Sequence, residues 1–173
     1  IDRPPLTIMS RYSASLMPHT AGAPPTSSSS PAPSSTWGAP IAWAWGMQQG
    51  ISIGNISWWN GQKGSIQFLD RYFDYVIRNL AVMLYKSIGN QGGSDGLTTT
   101  PGNGYNVTGS GNATDSDTHD WDDDSMSSSS SWVNPIEGHD KPEITACGTS
   151  ITTTTTASPW TGAQGTGTSY SSP

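Results

Sequence analysis

SIQFLDRYFDYVIRNLAVMLYKSI, residues 65–88, is the stretch whose reading decides the fold. Ile66, Leu69, Phe73, Val76, Ile77, Leu80 and Leu84 recur at three- and four-residue spacing, which places them on one face of a helix. Arg71, Asp74 and Arg78 repeat the spacing on another face, where a ladder of opposite charges contributes a few tenths of a kcal/mol per pair. Gly64 or Ser65 stands where the helix would start, and Gly89 where a left-handed residue would stop it. At about 1.5 Å per residue such a helix is roughly 36 Å long. Phe68, Tyr72, Tyr75, Val82, Met83 and Tyr85 widen the apolar stripe, so the helix suits either a wrapping sheet of its own chain or a second subunit.

Upstream, Ile41, Trp43 and Trp45 alternate with Ala42 and Ala44, the period of a strand. Ile51-Ser52-Ile53 and Ile56-Ser57-Trp58 flank Gly54-Asn55, which predicts a hairpin whose turn uses the positive φ open to glycine. Eight of the 13 Pro fall within residues 1–40, together with the run Ser27 to Ser30, so that segment reads as an extended arm long enough to cross onto a neighbour. Residues 91–131 are dense in turn chemistry and read as long loops. Residues 141–158 have strand character, through Ile144 alternating with Thr145 and the β-branched run Thr152 to Thr156. Together these elements predict an α+β chain: an arm over 1–40, one β-rich sandwich or barrel with a single long helix over 41–158, and a Gly/Ser/Thr tail over 159–173.

Composition narrows the functions. With 27 Ser, 20 Thr, 20 Gly and 13 Pro but only two Phe, the apolar area available for a core sits mainly in Ile and in eight Trp. A net charge of −6 with seven scattered Lys and Arg leaves no cationic stripe for phosphates, so no nucleic-acid partner is expected. No run of about 18 apolar residues and no leader pattern occurs, so neither a membrane span nor a signal peptide is expected. Cys147 has no partner for an intrachain disulfide and reads as a small buried hydrophobe.

Four patterns carry candidate chemistry. Asp115, Asp117, His119 and Asp120, with Asp122 to Asp124 behind them, supply oxygen ligands for a hard cation such as calcium. An EF-hand loop starting at Asp115 fails, because Asp120 and Met126 stand where glycine and glutamate are required, and the alternative is a solvated acidic loop. Glu137 and Glu143, the two glutamates, are the pair a small glycoside hydrolase would use, and Trp59 is the candidate for stacking on a sugar ring. Asn55, Asn106 and Asn112 begin Asn-x-Ser/Thr sequons, of which Asn106 and Asn112 fall in expected loops suited to glycan. Ser52 and Ser94 each sit in a Gly-x-Ser-x-Gly pattern, but neither has the strand-turn-helix setting of a nucleophile elbow, and nothing arranges His19, His119 or His139 around them.

These readings favour a self-assembling structural subunit, a homo-oligomer or larger assembly at a particle surface or outside the cell, in which the arm and Ser/Thr strands are ordered by neighbours. The alternative from a different class is a secreted carbohydrate-active protein, either a glycan-binding module or a small hydrolase.

Overall fold

The computed structural model describes residues 38–116, 118–154 and 158–173. The chain divides into two compact units, Ile1–Ile51 and Ser52–Pro173. The expected arm falls almost wholly on residues outside those described.

In the first unit, α1 spans Gly38–Gln48, where alternation had predicted a strand. Ala42, Ala44 and Met47 are good helix formers, and Pro40 is tolerated because it lies in the first turn, where its missing N–H has no intrahelical acceptor. Gly50, at φ 87°, closes the helix, and the Ile51 N–H returns to the Gly46 carbonyl at 3.1 Å.

The second unit is built on a five-stranded sheet. β1 (Ile53–Ile56), β2 (Met83–Ser87) and β3 (Thr108–Thr114) lie side by side in parallel. On the far side of β3 lies β5 (Ile144–Cys147), also parallel, while the short antiparallel β4 (Ser125–Met126) pairs with the end of β3 on the side of β2. A separate antiparallel ribbon joins β6 (Ile151–Thr154) to β7 (Thr161–Gly165). Two helices complete the unit, α2 (Phe68–Leu80) and α3 (Thr168–Ser171). The mixture of helix and strand agrees with the expected α+β class. A sandwich or barrel is not found among the described residues, where the strands form one open sheet and one ribbon.

Three local expectations are corrected. Gly54 and Asn55 are not a turn: they sit inside β1, opposite Leu84 and Tyr85 of a partner distant in sequence. The long helix is shorter than its periodicity implied, beginning after Gln67 and ending at Ala81, which takes the left-handed conformation at φ 52°. Beyond Ala81 the side chains alternate, with Val82, Leu84 and Lys86 buried and Met83 exposed, which is the period of a strand. Because a spacing of two also places every fourth residue on one face, Leu80 and Leu84 satisfied the helical pattern by coincidence. The third correction is the charge ladder. Asp74 instead accepts the backbone N–H groups of Tyr105 and Asn106, at 2.9 and 2.6 Å, and so anchors the loop before β3.

Leu69, Phe73 and Val76 on the inner face of α2 meet Val82, Leu84, Ile88 and Val107 in a fully buried cluster. Each such side chain contributes about 1.5–3 kcal/mol through removal from water. The helix start is held by a capping box, in which Asp70 Oδ2 accepts the Gln67 N–H at 2.8 Å. Much of the remaining interior is small and polar. Thr98, Thr99, Thr100, Ser110, Ser130 and Ser131 are buried, and hydroxyl bonds such as Ser110 Oγ to the Ser171 carbonyl, at 3.0 Å, and Thr99 Oγ1 to the Ile88 carbonyl, at 2.9 Å, satisfy most of them, Thr98 Oγ1 being the exception.

Candidate active site

In open sheets of parallel strands, ligands gather beyond the carboxyl ends of the strands, where the connecting loops diverge. At that edge β1 runs out into Ser57 and β2 into Gly89 and Asn90, and the chain returns there 78 positions later at α3. Gly89 adopts φ 124°, and a Cβ there would lie 2.6 Å from Thr99 Cγ2 and 2.7 Å from Ser131 Oγ, so only glycine fits the bend that presents Asn90.

Asn90 is fixed by the first turn of α3. Its Oδ1 accepts both the Thr168 N–H at 2.9 Å and the Thr168 hydroxyl at 3.0 Å. Thr168 Oγ1 in turn accepts the Gly89 N–H at 3.3 Å. With Oδ1 occupied twice, the Nδ2 group of this exposed side chain is left as a donor directed away from Thr168. Gly167 precedes the helix with φ 153°, and a Cβ there would lie 3.0 Å from Asn90 Nδ2. A side chain at 167 would therefore crowd the amide.

Ser169 is the second residue of α3 and is half-buried. A backbone N–H in the first turn has no intrahelical acceptor, so the Ser169 N–H, next in sequence to the Thr168 N–H that binds Asn90, is a further donor at this edge. Its hydroxyl lies over the end of β1, donating to the Ser57 carbonyl at 3.4 Å, while Ser57 Oγ approaches the Ser169 carbonyl at 3.5 Å. Ser172 Oγ bonds to Asn55 Oδ1 and ties the end of α3 to β1. A hydroxyl with N–H donors near it is the kind of set that acyl transfer uses.

Two buried charges lie beneath this edge. Lys86, on β2, is buried, and the cost of desolvating its ammonium lowers its pKa from 10.5 to about 7, with the Asp70 carboxylate acting in the opposite sense. Burial raises the pKa of Asp70, although hydrogen bonds from Gln67, Thr100 and Asn103 oppose the rise.

The residues singled out from sequence are scattered. Glu143 is engaged structurally: Oε2 accepts the Gly109 N–H at 2.6 Å and Oε1 pairs with Lys141, whose ammonium also bonds the Val107 carbonyl. Glu137 lies on an exposed loop over residues 134–140 that borders a depression of about 470 Å³. Asp115, His119 and Asp120 are on an exposed loop braced internally, for example by Asp120 Oδ1 accepting the Asp122 N–H at 3.1 Å, and Asp117 lies outside the described residues. Among the described residues no three His, Cys, Asp or Glu are gathered as a metal site for calcium or any other ion. Trp59 is exposed beyond β1. Asn106 is exposed, but Asn112 is fully buried on β3, its N–H bonded to Ser130 Oγ at 3.0 Å, so its amide is closed to a glycosylating enzyme. Cys147 is exposed, not buried. Ser52 precedes β1 and Ser94 sits in a surface turn, and His139 packs on Tyr105 with its ring centre 4.4 Å away.

Sequence reasoning missed Ser169 and Asn90. Ser169 is one of 27 serines in a segment that read as tail, and Asn90 follows a glycine that read as a helix stop. The usable signal was Gly167-Thr168-Ser169, a glycine immediately before two residues able to begin a helix.

No protein-family model matches this sequence, and no curated protein is significantly similar to it. Solved structures do resemble it. A PatG macrocyclase in complex with peptide superposes with a TM-score of 0.60 at 17% identity, over 76% of this chain and 36% of that one. The prenylagaramide maturation protease PagA gives 0.57 at 22% identity, over 78% and 45%. The self-cleaved protease domain of PatA gives 0.54 at 24% identity, over 77% and 46%. The chain thus spans less than half the length of each. These likenesses overturn both functional expectations, the self-assembling structural subunit and the carbohydrate-active protein, since the fold is one carried by maturation proteases and a macrocyclase. The expected homo-oligomer and carbohydrate partner find no support in them. Among the described residues no helix is long and apolar enough to cross a membrane.

Proposed function

We propose that this chain forms the nucleophile-bearing part of a serine-dependent acyl-transfer domain that acts on peptides and cleaves a peptide bond. The observation that carries the reading is the lock of Asn90 onto Thr168, whose N–H and hydroxyl both bond Asn90 Oδ1, which places the neighbouring Ser169 and its hydroxyl at the same carboxyl edge of the sheet. The likeness to proteases and a peptide-bound macrocyclase supports it.

In this reading a peptide lies along the open edge of β1, with its scissile carbonyl over Ser169. Ser169 Oγ attacks the carbonyl carbon and gives its proton to a base. The carbonyl oxygen, now negative, is held by the Ser169 N–H and Asn90 Nδ2, and the C–N bond then breaks as the departing amine takes up the proton. Water attacks the resulting ester, releases the acid and restores the serine. Among the described residues the hydroxyl's polar neighbour is Ser57, and His139 is held elsewhere, at Tyr105 and the Asn103 carbonyl. The step calls for a general base within hydrogen-bond reach of that hydroxyl. The order Asp, His, Ser found in subtilisin, with the serine last, is compatible with the downstream position of Ser169.

The test is labelling of the full chain with a fluorophosphonate, followed by peptide mapping. Modification at Ser169 that disappears in Ser169→Ala and slows by about 10²–10³-fold in Asn90→Ala is expected. Label on a different serine, or labelling undiminished in Ser169→Ala, would overturn the assignment.

A further inference from the structure

Lys86 is a buried cation that the chemistry above does not use. Its Nζ contacts the Ser87 carbonyl, Ser87 Oγ at 3.2 Å and Thr99 Oγ1 at 3.4 Å. An ammonium has three N–H donors, so the charged form meets three acceptors, while a neutral amine has one donor too few. No carboxylate forms an ion pair with Lys86 among the described residues; Asp70 of α2 is the charged group that acts on it.

The acceptors lead to the site. Thr99 holds the Ile88 carbonyl through both its N–H and its hydroxyl, each at 2.9 Å. Thr99 Cγ2 closes the space over Gly89, and Gly89 and Asn90 are bonded to Thr168, the residue before Ser169. Ser87 Oγ also reaches the Ile56 carbonyl at 3.5 Å, at the end of β1 beneath Ser57.

We propose that Lys86 is a positioning residue whose ammonium clamps the end of β2 to Thr99, so that its protonation state controls how firmly Asn90 is held as an oxyanion donor. This rests on the acyl-transfer reading of Ser169 and adds a regulating group to that site. A buried charge without an ion pair costs stability, and a protein retains such a group where it organises function. Loss of the ammonium proton around neutral pH removes one clamp bond, so acylation falls as pH rises through that range, opposite to the rise expected from freeing a histidine base.

The test follows two readouts in the full chain. The first is the side-chain amide resonance of Asn90 across a pH titration, alongside the 13Cε signal of Lys86, one of only three lysines to assign. The expected result is a shared midpoint near 7 that vanishes from Asn90 in Lys86→Met. The second is the pH profile of fluorophosphonate labelling, whose alkaline decline is expected to disappear in Lys86→Met and to weaken in Thr99→Val. An Asn90 amide that does not follow Lys86, or an alkaline decline retained in Lys86→Met, overturns the inference. Absence of Ser169 labelling in the unaltered protein, with Asn90 still following Lys86, would instead sink the acyl-transfer reading alone.

Discussion

Replacing Asp70 by alanine tests whether a buried carboxylate organises the junction between α2 and the loop over residues 98–106. Asp70 is fully buried and accepts three bonds, from the Gln67 N–H at 2.8 Å, the Thr100 hydroxyl at 2.8 Å and the Asn103 N–H at 3.0 Å. The Thr100 hydroxyl can rotate toward another acceptor, whereas the two backbone donors cannot. Each stranded N–H costs about 1–3 kcal/mol, and the lost capping interaction adds about 1 kcal/mol. Release of a desolvated carboxylate offsets part of this, leaving a net loss of about 3 kcal/mol for Asp70→Ala. Asp70→Asn keeps one acceptor oxygen but turns an amide N–H toward a donor, and is expected to lose about half as much. Urea unfolding followed by circular dichroism gives both values from the midpoint at constant m. The pH dependence supplies a second check. Because the folded pKa of Asp70 lies above 3.8, the folded state binds the proton more tightly than the unfolded chain. Stability should therefore fall as pH rises from about 4 through the folded pKa, and that slope should be absent from Asp70→Ala. A loss below about 1 kcal/mol, or an unchanged slope, would refute the assignment of Asp70 as the anchor.

Lys86 should show the opposite linkage, and Lys86→Met should abolish it. The native pKa of about 7 lies below the ordinary 10.5, so the cost of burying the charge is fully present below about pH 7 and is lifted as pH rises toward 10.5. At about 1.4 kcal/mol per pH unit that interval amounts to at most about 5 kcal/mol, and urea midpoints at pH 6 and pH 9 should differ in the unaltered protein but converge in the variant. Gly89→Ala must strain a φ of 124° and displace Thr99 and Ser131, at a cost of about 2–4 kcal/mol. Gly93→Ala, with nothing within 4 Å of the added carbon, should change thermal stability by only about 0.5 kcal/mol or less. Expression in a glycosylating host should leave Asn112 unmodified, since it is buried beneath Ser130; glycopeptide mapping that found it occupied would contradict the β3 placement.

Part of the architecture was legible from local pattern. The spacing of Leu69, Phe73 and Val76 located the amphipathic helix and its buried face, and the β-branched residues of 144–154 located extended backbone. Those signals depend on neighbours within a few residues. The pairing of β1 with β2 and of β2 with β3 does not, because a parallel strand finds its partner across an intervening segment and leaves no turn to mark the register. Thus Gly54-Asn55 offered a turn, and Val82 to Lys86 continued a helical spacing, until tertiary burial on alternate residues decided for strands.

The serines and threonines separate the two levels most clearly. Composition pointed to a core of Ile and Trp, whereas the buried cluster is Leu69, Phe73, Val76, Val82, Leu84, Ile88 and Val107, and it gave no place in the interior to the hydroxyls. The fold instead buries Thr99, Ser110 and Ser130, since a small hydroxyl can enter the interior once a backbone carbonyl accepts it, and Thr100, whose hydroxyl Asp70 accepts. The same holds for the site. Sequence alone determined that Gly167 stands two positions before Ser169 and Gly89 directly before Asn90; only the return of the chain to the carboxyl edge of the sheet brought the two together, because Thr168 satisfies its own N–H and hydroxyl on the Asn90 oxygen.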